Sequence, residues 1–190
     1  MVQMNDILQK MKKAGRAAFR TREYAAMLGK KGYARLALHR LNVRGEIVPV
    51  KNGWWAFPDA IPEAAACEIS KPCYVSFHSA LFLHGLTTQA PRNIQLAVTR
   101  KTKKYRIFGM EAKEYKIKKG QFAGFLRKDG ILLAQPEKAF ADSIMLPRTC
   151  PDIVLTEAAK KIDIAQAKGF LEGAAAEKRL RRVLKHAKQE

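Results

Sequence analysis

The side chains in this sequence best able to do covalent or metal chemistry are His78, Ser79 and His84, followed by two Glu-x-Lys triplets, Glu111-Ala112-Lys113 and Glu114-Tyr115-Lys116. A serine nucleophile needs a base within hydrogen-bond reach. His78 and Ser79 are consecutive on a predicted helix and diverge by about 100°, and no carboxylate lies near in sequence to orient the imidazole. Packing or helix-end roles are therefore expected of them. A Glu-x-Lys strand belongs to metal-dependent nucleases only when an upstream carboxylate completes the Mg²⁺ site. The sequence has no aspartate between Asp59 and Asp129, and no glycine-rich phosphate loop. Cys67, Cys73 and Cys150 are not spaced as a zinc site and are expected to be small buried side chains. No catalytic residue, metal ligand or cofactor is expected, and the protein is not expected to be an enzyme.

Charge points to binding instead. Thirty-six Lys and Arg against seventeen Asp and Glu give a formal net charge of +19, which calls for a polyanionic partner. The excess is clustered: residues 1–58 carry 12 basic and 3 acidic side chains and residues 100–128 carry 11 and 2, whereas 59–99 carry 2 and 3. In the first cluster, Lys30, Lys31, Tyr33, Arg35, His39 and Arg40 lie on or just before one predicted helix, and Lys51 and Asn52 sit at a predicted hairpin tip. These are types that reach phosphates and base edges, so they are the candidate DNA-binding residues. In the second cluster, Arg100, Lys101, Lys103, Lys104, Arg106 and Lys116 form a candidate second basic surface on β-rich segments. It is expected to be separable from the first.

The elements that must position these groups follow from periodicity. Asp6 to Lys13 carries one apolar stripe. A helix from Arg22 to Leu28 has Thr21 as its expected N-cap, without a capping box because position 24 is Tyr24. A third helix, Tyr33 to about Val43, turns Ala34, Ala37, Leu38 and Leu41 to one side and Arg35, Leu36, His39 and Arg40 to the other. Asn52-Gly53 between two β-rich runs predicts a hairpin through a type I′ turn. Of Trp54 and Trp55, which alternate across its second strand, packing is expected over stacking on nucleic acid. This order is that of a winged helix-turn-helix.

Three prolines, Pro58, Pro62 and Pro72, suggest a linker over 59–72. Beyond it, a helix over Ser76–Leu86 is expected with Ala80, Leu81 and Leu83 inward. Strands follow over 94–99, 105–108 and 111–117, then a hairpin at Asp129-Gly130, a helix opened by Pro136, and a helical tail with Leu180, Val183 and Leu184 as its stripe. The expected class is α+β: a winged helix-turn-helix over 1–58 and a C-terminal domain over 73–190 with a small mixed or antiparallel sheet. No window is long and apolar enough to span a bilayer, and no secretory leader is evident, so a cytoplasmic protein without membrane partners is expected.

Three blocks resemble the AbiEi family of antitoxins and transcriptional regulators of abortive-infection, or type IV, toxin–antitoxin systems. They are Arg44-Gly45-Glu46-Ile47 leading into Asn52-Gly53-Trp54-Trp55-Ala56; Tyr74 to Thr87, with Ser79-Ala80-Leu81 and His84-Gly85-Leu86; and Ala134-Gln135-Pro136-Glu137-Lys138-Ala139 with Asp142. The resemblance covers roughly residues 5–150. It implies an N-terminal winged helix that binds inverted repeats in double-stranded DNA of its own promoter and represses transcription. It also implies a C-terminal domain that counters a nucleotidyltransferase-like toxin without a stable complex. The competing expectation is a general basic RNA- or single-strand-binding protein that stacks bases on Trp54, Trp55, Tyr105 and Tyr115.

Overall fold

The computed structural model describes residues 2–128 and 130–188; Asp129, half of one expected turn, lies outside them. The chain divides into two compact units, residues 1–71 with 104–112, and residues 72–103 with 113–190.

The first unit begins with α1 (Val2–Lys13), β1 (Ala18–Arg20), α2 (Thr21–Leu28), α3 (Lys31–Val43), β2 (Val48–Lys51) and β3 (Trp54–Ala56). Its three-stranded sheet has the order β1-β3-β2, antiparallel throughout. Helix α3 buries Ala34, Ala37, Leu38 and Leu41, as its periodicity predicts. These residues join Ile7, Leu8 and Met11 of α1 and Phe19, Tyr24 and Leu28 in one apolar core.

Three local expectations need correction. The N-cap of α2 is Arg20, which shifts the frame by one residue: the Glu23 carboxylate accepts a 2.8 Å hydrogen bond from the Arg20 N–H, satisfying an amide that the helix leaves orphaned. Thr21 Oγ1 instead accepts from Trp55 Nε1 at 2.9 Å. The Asn52-Gly53 hairpin is present, but of its two tip residues only Gly53 takes a positive φ, 73°. The ladder absorbs the extra residue as a register shift between Pro49 and Lys51, the signature of a bulged hairpin rather than a type I′ turn. Residues 59–72 are no linker. Pro62, at the first helical position, opens α4 (Pro62–Ser70), which buries Ala65, Ala66, Cys67 and Ile69 and packs against β1.

The later elements are β4 (Tyr74–Val75), α5 (Phe77–Leu83), β5 (Ile94–Val98), β6 (Lys104–Ile107), β7 (Met110–Lys116), β8 (Phe125–Lys128), β9 (Ile131–Ala134), α6 (Pro136–Met145), α7 (Asp152–Ala159), α8 (Ile164–Gly169) and α9 (Ala174–Ala187). The strands form a mixed six-stranded sheet of order β6-β7-β5-β4-β9-β8, in which β4 and β9 run parallel. All five residues of β5 are buried, consistent with a strand covered on both faces. Helix α5 buries Ala80 and Leu81 as expected, but Leu83 is exposed. The class is α+β, with a helical tail in which Leu180 and Val183 are buried.

The second unit holds a buried ionic network. Lys138 Nζ lies 2.7 Å from Asp142 Oδ1, one turn along α6, while Tyr74 OH and Ser76 Oγ donate to Asp142 Oδ2 at 2.9 and 2.7 Å. Both charged side chains are almost fully enclosed. Each donor thus helps to compensate a carboxylate that burial alone would make very costly.

Candidate nucleic-acid interface

Helix α2 ends at Gly29, whose left-handed φ of 71° returns its amide to Ala25 O and turns the chain toward α3. Helix α3 is fixed by its four buried apolar residues, so its opposite face is set without freedom to roll. On that face Arg35, His39 and Arg40 are exposed, and Lys30 and Lys31 are exposed where the helix begins. The first turn of α3 holds no acidic residue, so no carboxylate there opposes the helix dipole's attraction for anions.

Not all candidates are available in the same way. Tyr33 is half-buried against the core, and its hydroxyl accepts a 2.9 Å hydrogen bond from Arg40 Nη1. The Arg40 guanidinium also lies over the Tyr33 ring, 5.8 Å from its centroid. Arg40 is therefore held in place on the helix surface, while Arg35 and His39 extend from it. Asn52 is exposed at the wing tip, but Lys51 is half-buried with its Nζ 4.3 Å from the centroid of the Tyr105 ring. Lys51 thus ties the wing to β6 rather than projecting from its tip. Arg22, exposed in the first turn of α2, is a further cation that periodicity did not single out. Its place on the leading helix of the helix-turn-helix was the available signal.

The tryptophans are spent internally. Trp54 is buried beneath the Arg20 guanidinium, 4.7 Å from the ring centroid, and Trp55 packs on the apolar core.

The second basic cluster is divided. Lys104 and Arg106 belong to the first unit, and Arg100, Lys101, Lys103 and Lys116 to the second. Lys101, Lys103, Lys104, Arg106 and Lys116 are exposed. Arg100 is not a spare cation: it grips the buried Glu114 carboxylate with two hydrogen bonds of 2.7 and 3.0 Å, and Lys103 N–H adds a third at 2.9 Å. The same contacts engage the glutamate of one Glu-x-Lys triplet.

His78, Ser79 and His84 are each engaged by backbone groups. His78 Nε2 bonds Gln89 O and His84 Nε2 bonds Ala134 O, both at 2.8 Å. Ser79 Oγ donates to Asn93 O and accepts from Gln95 N–H. Burial lowers the His78 pKa, against the opposing pull of its bond to Gln89. All three cysteines are buried, and burial pushes the Cys150 thiol up to about 12, far from a reactive thiolate. Among the described residues no group of three or more His, Cys, Asp or Glu could hold a metal ion, and no helix is long and apolar enough to cross a membrane.

The first unit, with its helix-strand-helix-helix order and a two-stranded wing, has the topology of a winged helix-turn-helix within an α+β protein. The whole chain shares its fold with the Rv2827c protein of Mycobacterium tuberculosis. That crystal structure matches with a TM-score of 0.67 at 14% sequence identity, covering 98% of this chain and 78% of that one. No family model and no curated protein matches the sequence.

Proposed function

We propose that this protein is a duplex-DNA-binding transcriptional repressor that reads inverted repeats with α3. The observation that carries this reading is the exposed Lys30, Lys31, Arg35 and His39 surface on a helix locked by its apolar face, within a winged helix-turn-helix. Arg35 can pair bidentately with guanine and His39 can hydrogen-bond base edges or phosphates, while Lys30 and Lys31 bind phosphates as point charges. The sequence resemblance to AbiEi antitoxins extends the proposal. The second unit would counter a nucleotidyltransferase-like toxin, and the repressed promoter would be that of the shared operon. A single-strand binder is disfavoured because Trp54 and Trp55, its obvious stacking platforms, are used in packing.

The test is fluorescence anisotropy with the full chain, using the duplex upstream of its own reading frame, a scrambled duplex, and each separated strand. The expected order is cognate duplex first, then scrambled duplex, then single strands. Equal affinity for duplex and single strand overturns the reading. Co-expression with an adjacent nucleotidyltransferase gene tests the antitoxin role, and unchanged toxicity overturns that role alone.

A further inference from the structure

Residues 104–112 are separated in sequence from the rest of the first unit, yet their contacts place them in it. The anchor is Tyr105. Its hydroxyl donates to Ala66 O at 3.0 Å and lies 2.7 Å from Ser70 Oγ, both on α4, while the Lys51 ammonium of β2 sits over its ring. One side of β6 is therefore held against the wing and α4, and Ile107, two residues on, is buried on that same side. Strand alternation sends Lys104 and Arg106 to the other side, where both are exposed. The strand turns into β7 through Phe108 and Gly109, both with positive φ (48° and 81°), which matches the twist of a tight two-stranded ribbon.

We infer that this hairpin is a second wing of the DNA-binding head, with Lys104 and Arg106 taking backbone phosphates that flank the site read by α3. The inference rests on the duplex reading of α3 proposed above and adds to it a surface drawn from outside the helix-turn-helix. It departs from the expectation that the basic residues of 100–128 form a second surface separable from the reading head. The residues of that stretch fixed beside the wing serve the reading head. Because phosphate carries no sequence information, the contribution is to affinity and salt dependence, not to the choice of site.

The test compares two double variants of the full chain, Lys104→Ala with Arg106→Ala on the hairpin and Arg127→Ala with Lys128→Ala on β8, by anisotropy on cognate and scrambled duplexes across a salt series. All four residues are exposed, so both variants are expected to keep the wild-type unfolding midpoint. The first pair is expected to lower the salt slope by about 2 and affinity near physiological salt by about 10–30-fold, equally on both duplexes. The second pair is expected to leave both values as in the wild type. A first pair with unchanged slope, or two pairs with equal losses, overturns the second wing. A wild-type protein that does not prefer duplex overturns the reading of α3 instead, and that outcome is read before any variant is made.

Discussion

At the scale of single residues, the exposed cations of the head divide by what holds them. Arg35 projects from a helix whose roll is fixed by Ala34, Ala37, Leu38 and Leu41, so the proposed base contact would be made in one direction. Replacing Arg35 with Ala is expected to cost about 1–3 kcal/mol on the cognate duplex and to relax sequence preference at one position. Lys31→Ala is expected to weaken cognate and scrambled duplexes alike and to reduce the salt slope by about 1. Anisotropy on both duplexes checks the contrast, and equal discrimination in the two variants would refute the division of labour. Lys51 looks from sequence like another phosphate contact at the wing tip. Its place over Tyr105 gives it an architectural role that no local pattern encodes, because the partner lies 54 positions further along the chain.

At the scale of elements, legibility tracked how local the determining physics is. The buried face of α3 spans enough turns for its period to declare it, and Asn52-Gly53 announced a hairpin even though the turn itself closes differently. Strand β1 is three residues long and exists because β3 pairs with it, so it carries no signal of its own. Helix α4 was hidden among prolines that suggested a linker, although Pro62 followed by an alanine-rich run is also how a buried helix starts. The same non-local logic secures the tail. Arg179 of α9 donates to Ser143 O and Ile144 O in the last turn of α6 and to Cys150 O, and it makes an ion pair with Asp152 at 2.8 Å. It thereby satisfies carbonyls that α6 leaves open. Removing it as Arg179→Ala is expected to destabilise the protein by about 1.5–3 kcal/mol, read as a lower unfolding midpoint. Burial opposes the charge of Asp152, but Arg179 and Arg182 outweigh it and hold the carboxyl below its ordinary value of 3.8. A depressed folded-state pKa adds stability that is complete above the unfolded value and fades as pH falls through the folded one. The wild type is therefore expected to lose stability below about pH 4, and Asp152→Asn to show a shallower loss in thermal melts over the same range.

At the scale of the molecule, the physical boundary of the proposed reading head determines which fragment can test its function. The charge partition suggests an independent head over 1–58, but the first unit runs to Lys71 and takes in 104–112. A fragment ending at Pro58 lacks α4, which packs on β1 and supplies the Glu68 carboxylate 3.2 Å from Arg16 Nε. It would leave the surface that normally meets Ala65, Ala66 and Ile69 in water, at a cost of about 25 cal/mol for each Å² of apolar area left uncovered. Small domains have little stability to spare, so a loss of this kind decides whether they fold. Residues 1–71 are therefore expected to unfold cooperatively by circular dichroism and to bind duplex DNA, whereas 1–58 is expected to show a broad transition and weaker binding. Because 1–71 still lacks Lys104 and Arg106, its salt slope should fall below that of the full chain, by about 2 if the second wing contacts DNA. A 1–58 fragment that melts as sharply as 1–71 and binds as tightly would show that α4 is dispensable to the head. A 1–71 fragment with the full-length slope would remove the hairpin from the interface while leaving the role of α3 intact.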